Sequence, residues 1–234
     1  MPQLFGELPR PLDAMSVSGY FHRVSTRDRI MATALRLFGE QGFARTSVAQ
    51  IESEAGLTGG SGALYRHFRS KNALLVAAVA SRLEQKEEWA QYLEPDFSIV
   101  RMLDAVAPDA NMADRLTLLC GIGLARLEHN RDVTRILFRD NTIDKEVLET
   151  FRREEYEVSM PVFTRGLAEL SGDADTDWRP VAAVLIGAVA HFWMISDIFD
   201  GEHPAEVDAQ QYLRATAELV AARLSWSGSG DAHP

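Results

Sequence analysis

The run Ala55-Gly56-Leu57-Thr58-Gly59-Gly60-Ser61-Gly62-Ala63-Leu64-Tyr65-Arg66-His67-Phe68 constrains this chain more than any other feature. Gly56 is placed to end one helix in the left-handed conformation that glycine adopts most cheaply, and a hydroxyl at Thr58 or Ser61 is then free to cap the next. The product is a tight turn that holds two short helices at a steep fixed angle. In that arrangement the second helix can enter a DNA major groove while the first lies across the backbone.

The flanks support this geometry. Ser25 or Thr26 is positioned to cap a first helix whose Ile30, Ala34, Leu37 and Phe38 share one face, and Gly42-Phe43 breaks it. Ser47 with Gln50 predicts a capping box for a second helix that turns Val48, Ile51 and Ala55 inward. Leu57, Leu64 and Phe68 complete a small core. Ser70 then caps a longer helix running through Leu74, Leu75, Ala78, Val79 and Leu83. The sequence therefore predicts an all-α protein, with a three-helix helix-turn-helix head seated on a connecting helix.

In the order Ala34-Leu35-Arg36-Leu37-Phe38, Gly42-Phe43, Thr46-Ser47-Val48 with Ile51, Ala55-Gly56-Leu57, Leu64-Tyr65 with His67-Phe68, and Ser70-Lys71 with Ala73-Leu74-Leu75, the chain resembles the TetR family of bacterial transcriptional regulators. The resemblance extends from about Thr26 to Trp226. One departure stands out: the commonest family pattern has two fewer residues between Thr58 and Leu64, so Gly59-Gly60-Ser61-Gly62 lengthens the turn. The resemblance implies phosphate contacts from Thr46, Tyr65, His67 and Lys71. It leaves base reading to Thr58, Gly60, Ser61 and Ala63, with Arg66 beside them. Each glycine costs a helix roughly 1 kcal/mol relative to alanine, so the element is expected to order fully only on DNA.

Charge agrees with that assignment once it is read by segment. The 234 residues carry a net −10, which opposes DNA binding if spread evenly. Residues 23–86, however, hold ten Lys/Arg against five Asp/Glu, whereas residues 87–234 hold thirteen against twenty-seven. A basic head on an acidic body orients the molecule toward DNA. With 46% hydrophobic and 25% charged residues the composition is that of a soluble globular protein. The N-terminus lacks the apolar core of a signal peptide, and the single Cys120 lies in an apolar run, so a cytoplasmic protein with a buried core thiol is expected.

Beyond the head the pattern stays helical, with breaks at Pro95, Pro108, Asn130, Asn141 to Asp144, Ser171 to Thr176 and Gly201 to Pro204. Pro161 is expected to kink the helix that contains it. Residues 1–22 and 227–234, rich in Pro, Gly and Ser, are expected to be disordered. Residues 23–71 form the expected head, and 72–226 an effector-binding and dimerisation unit.

No residue from Pro180 to Ser196 is charged. His191 and Ser196 interrupt this run, Arg179 and Asp197 bracket it, and it is short for a membrane span, so no membrane partner is expected. The resemblance implies instead a helix buried between subunits. Asp208 and Gln211 open the final helix, which aligns Leu213, Ala217, Val220 and Leu224 on one face. Together with Val184, Ala188 and His191 these residues are the expected homodimer interface, and a two-fold pair of heads is what a palindromic operator requires.

Between the head and these helices, Trp89, Phe163 and Trp193 are the candidates for lining an effector cavity, with His129 or His191 as polar anchors. No catalytic constellation, metal signature or cofactor loop is recognisable, so no cofactor, metal or enzymatic activity is expected. The resemblance implies a repressor that a small, largely hydrophobic effector releases from double-stranded operator DNA by favouring a splayed dimer. The competing reading is a helical small-molecule-binding protein with little sequence-specific DNA binding.

Overall fold

The computed structural model describes residues 25–84, 96–139, 143 and 145–226, and every regular element among them is helical. The elements are α1 (Thr26–Gln41), α2 (Val48–Glu54), a single 3-10 turn (Ala63–Arg66), α3 (Lys71–Glu84), α4 (Ile99–Val106), α5 (Met112–His129), α6 (Arg131–Arg139), α7 (Lys145–Phe151), α8 (Glu157–Ser171), α9 (Arg179–Ile198) and α10 (Ala209–Trp226). The expected disordered ends and Trp89 lie outside the described residues.

Several helices begin where short polar side chains satisfy orphan amides. The Ser25 hydroxyl accepts from the Asp28 N–H at 3.1 Å, Ser47 from Gln50 at 3.1 Å and Ser70 from Ala73 at 3.0 Å. Asp208 and Gln211 form the full reciprocal box, with bonds of 2.8 and 3.0 Å. At Ser47 the box is one-way, because the Gln50 amide donates to Glu54 Oε1 at 3.1 Å rather than reaching back.

The head core holds the residues that periodicity placed there: Ile30, Ala34, Leu37 and Phe38 from α1, Ile51 from α2, Leu64 and Phe68, and the Leu74, Leu75, Ala78, Val79 and Leu83 face of α3. It does not stop at residue 71. Val133 and Ile136 of α6 and Val147 of α7 belong to the same cluster. The backbones of α1 and α6 approach so closely that a Cβ at Gly39 would lie 3.0 Å from the Asp132 Cα.

A second core is organised around α5, which packs against α9 and α10. It includes Leu116, Cys120, Leu185, Leu213 and Ala217. Pro161 sits inside α8, and Arg152–Tyr156, which ends five residues before it, winds as a π-helical segment joining α7 to α8. A proline that supplies no N–H to the carbonyl four residues back favours such local rewinding.

Candidate functional site

The Gly-rich turn is built from local backbone bonds and one distant side chain. Gly56 takes φ 75°, as its place at the end of α2 requires. The Leu57 N–H then donates to the Glu52 carbonyl at 2.8 Å, and Ser61 N–H to the Thr58 carbonyl at 3.2 Å. Neither candidate hydroxyl caps the turn that follows, whose N-cap is Gly62, and Ser61 instead accepts from the Ala63 N–H at 3.3 Å in a local turn. Gly62 is left-handed at φ 72°. The expected recognition helix is consequently only the 3-10 turn Ala63–Arg66, because left-handed residues inside the lengthened segment interrupt an α-helical ladder.

What holds this turn is Glu52, a residue that sequence reasoning passed over. Its side chain is buried at 0% exposure beneath the turn, and Oε1 accepts the Leu64 N–H at 2.8 Å. That bond, ahead of the N–H groups of Gly60, Gly62 and Ser61, keeps the carboxyl below the ordinary glutamate range against the opposing effect of burial. Those three amides act on the carboxylate without closing a bond to Oε2, which is buried and has no hydrogen-bond partner. A signal was present: Glu52 shares the inward pattern of Val48, Ile51 and Ala55, and a carboxylate there is costly unless paired.

Thr58, Gly60, Ser61, Tyr65, Arg66 and His67 are all exposed, Tyr65 at 56%, and Ala63 is half-buried. Two expected phosphate ligands are turned inward. Thr46 is buried, and its hydroxyl donates to the Gly42 carbonyl at 2.9 Å and the Leu37 carbonyl at 3.3 Å. The Lys71 ammonium donates to the Phe43 and Thr46 carbonyls at 2.8 and 3.0 Å and lies 4.2 Å from the centre of the Phe43 ring. Thr46 ties the α1–α2 corner back to the end of α1, and Lys71 ties it to the start of α3. The Leu64–Glu52 bond ties the turn to α2.

A cavity of about 560 Å³ opens between α5, α9 and the start of α10. Leu124, Phe192, Trp193 and Leu213 give it apolar walls, and Glu128, Arg131, Ser196 and Asp197 add polar groups. Trp193 Nε1 donates to Glu128 Oε2 at 2.9 Å. Asp197, its side chain 4% exposed, is held by Arg135 at 2.8 Å and Arg131 at 3.3 Å, so this wall is tied to α6 and through α6 to α1. The Ser196 hydroxyl is buried without a partner.

The other described cavity candidates lie elsewhere. Phe163 packs against the body core. His191 is exposed and absent from the lining. His129 lines a separate cleft of about 420 Å³ between α1, α3 and the α5–α6 corner. Cys120 is buried, which pushes its thiol up to about 12.

The expected dimer stripe divides in two. Leu213, Ala217, Val220 and Leu224 are buried within the chain's own body core. The outward face of α10 carries Ala215, Leu219 at 75%, Ala222 and Trp226 at 72% exposure. Beside it in the fold, α9 exposes Val184 at 67% and His191, with Ala188 half-buried. By length and composition α9 could cross a membrane, yet Leu185, Val189 and Trp193 on its inner side are buried in the fold.

Residues 30–78 match the tetR family of bacterial regulatory proteins. The HTH-type transcriptional regulator TtgW of Pseudomonas putida is 36% identical over 117 residues, which are 46% of this chain and 84% of TtgW. YerO of Bacillus subtilis, another HTH-type regulator, is 25% identical over 79% of this chain. The match spans 60% of YerO, and a similar one spans 53% of SrpR from Pseudomonas putida.

Among solved structures, a TetR-family regulator from Mesorhizobium loti superposes with a TM-score of 0.61 at 18% identity, covering 85% of this chain and 96% of its own. FadR of Bacillus subtilis, solved in complex with stearoyl-CoA, gives 0.56 at 17% identity, covering 83% and 97%. At such identities these structures speak to the fold alone, and they share it along nearly their whole length. With the helix-turn-helix head, the helical body and the extent of the TtgW match taken together, the chain belongs to the TetR family of bacterial transcriptional regulators.

Proposed function

We propose that the protein is a cytoplasmic repressor that binds a palindromic operator as a homodimer and leaves it when a small, largely hydrophobic effector enters the α5–α9–α10 cavity. The observation that carries this reading is the exposed Thr58–His67 turn on a head whose charge balance is opposite to that of the body. Tyr65 and His67 supply donors for the phosphate backbone, with Arg66 exposed next to them. Thr58, Gly60 and Ser61 with Ala63 face the groove. Residues 23–71 act as the reading unit and 72–226 as the effector and dimer unit, although the packing of the first runs on into α6 and α7.

Dimerisation falls to the outward faces of α9 and α10. An apolar surface around Val184, Leu219 and Trp226 is covered by its two-fold copy, and that pairing sets the two heads about 34 Å apart. The cavity, at about 560 Å³, has the size and apolar walls of a small-molecule site, and the buried Ser196 hydroxyl offers a polar anchor. Because FadR of Bacillus subtilis was solved with stearoyl-CoA, acyl-CoA thioesters are the first probes to use. An effector that displaces Trp193 or Asp197 shifts α6, which packs on α1.

The test is selection of bound sites from a random duplex pool. The expected result is an inverted repeat whose half-sites are about 10 base pairs apart, bound with steep salt dependence. Trp193→Ala is expected to weaken effector binding at least tenfold. A protein that takes up hydrophobic compounds but enriches no DNA sequence is instead the helical small-molecule binder.

A further inference from the structure

We infer that Glu52 is the positioning residue for sequence reading: its buried side chain, which never touches DNA, fixes the 59–64 backbone in the one shape that presents Thr58, Ser61 and Tyr65 outward together. This rests on the proposed operator binding and adds to it a determinant hidden under the contact surface.

Three observations converge. First, the lengthened turn has no helical ladder to hold it, since Gly60 and Gly62 are both left-handed and the only regular element is one 3-10 turn. Second, a charged side chain at 0% exposure reaches across from α2 and takes the Leu64 N–H at 2.8 Å, joining residues twelve apart in the chain. Third, the path between them is tight: a Cβ at Gly59 would lie 3.0 Å from the Ala49 carbonyl oxygen, so the turn is pressed onto the helix that carries Glu52. The segment superficially resembles a glycine-rich cradle for phosphate. Its amides already have an anion, because Leu64 donates to Glu52 and Gly60, Gly62 and Ser61 lower the pKa of the same carboxyl. What the turn offers to DNA is therefore its side chains and its outer backbone edge.

Replacement of Glu52 by glutamine keeps the shape but removes the charge and aims an NH2 group at a cluster of N–H donors. Three roles for Glu52 then give three different outcomes. A bystander charge near DNA, once removed, raises affinity for every duplex. A purely structural residue lowers the melting temperature and, with the protein still folded, leaves selectivity unchanged. A positioning residue loses selectivity: Glu52→Gln is expected to bind the selected operator at least tenfold more weakly, to bind random duplex within about twofold of wild type with the same salt slope, and to select a degenerate site.

A second readout needs no operator. In amide hydrogen exchange the Leu64 N–H should exchange at least tenfold faster in Glu52→Gln, while the Leu74 and Leu75 amides of α3 keep their protection. If Glu52→Gln does not fold, Gly60→Ala disturbs the same backbone without touching the carboxylate, because it has open space and only its φ of +75° to strain it. It should show the same split between operator and random DNA. An unchanged operator-to-random ratio in the folded variant, or unchanged exchange at Leu64, overturns the assignment. A wild-type protein that selects no sequence overturns the repressor reading instead, and the exchange experiment still decides whether Glu52 holds the turn.

Discussion

The Gly-rich turn and the final helix solve opposite problems. The turn has almost no apolar content and gets its shape from left-handed glycines closed over a single buried carboxylate. Helix α10 has a regular backbone opened by a reciprocal capping box, and an excess of apolar content: Leu213, Ala217, Val220 and Leu224 point in, while Leu219 and Trp226 point out. Order in the first depends on one non-local polar contact, so it is concentrated and breakable. In the second it is distributed over a packed face.

The largest expected effects separate the two faces of α10. Leu213→Ala should cost about 3 kcal/mol, because it truncates a buried side chain of the body core, and a melting curve reads this directly. Leu219→Arg should leave the monomer fold within about 0.5 kcal/mol, as surface changes do, yet raise the dimer dissociation constant a hundredfold or more in analytical ultracentrifugation. Cys120 on α5 belongs to the same core as Leu213 and reports on that face. With its thiol pushed up to about 12 by burial, it should resist alkylation at neutral pH in wild type and in Leu219→Arg, and react in Leu213→Ala. Equal loss of fold in both variants would erase the distinction between the inward and outward stripes.

That distinction also marks where reading the sequence stops. Caps at Ser25, Ser47, Ser70 and Asp208 and the inward face of α1 were legible because each depends on residues three or four apart. Which of two apolar stripes on α10 meets the body depends on α5, and periodicity carries no information about that. Thr46 and Lys71 turn inward for a related reason. Resemblance transfers a role by position, but the direction of each side chain is set by the Leu37, Gly42 and Phe43 carbonyls that happen to be within reach. Trp193 was found as a cavity wall, whereas Phe163 and His191 were not, since aromatic content alone does not say which side of a helix faces a void. Glu52 was legible in principle, as a charge at an inward position.

A smaller effect sharpens the contrast by making one chemical change in both directions. Gly62→Ala forces a side chain into φ +72° with no steric obstacle and should cost about 1 kcal/mol. Ala222→Gly on the exposed side of α10 should also cost about 1 kcal/mol, by helix propensity. Their melting temperatures should therefore fall alike, while operator selectivity falls only in Gly62→Ala. Loss of selectivity in both would mean that the two regions are not energetically separate.

The smallest expected effect is a pH signature that only the turn can give. The Leu64 N–H holds the Glu52 carboxyl below the ordinary glutamate range in the folded chain. A depressed carboxyl contributes stability that is complete above its unfolded pKa and disappears as pH falls through the lower folded value. The melting temperatures of wild type and Glu52→Gln should thus differ by a constant amount at neutral pH and converge as acid is added. Leu213→Ala removes no titrating group, so its deficit relative to wild type should stay nearly constant over the same range. Convergence in Glu52→Gln but not in Leu213→Ala would identify the turn as the region held by charge and the helix as the region held by packing. A parallel response in the two variants would place the stabilisation of the turn in packing as well.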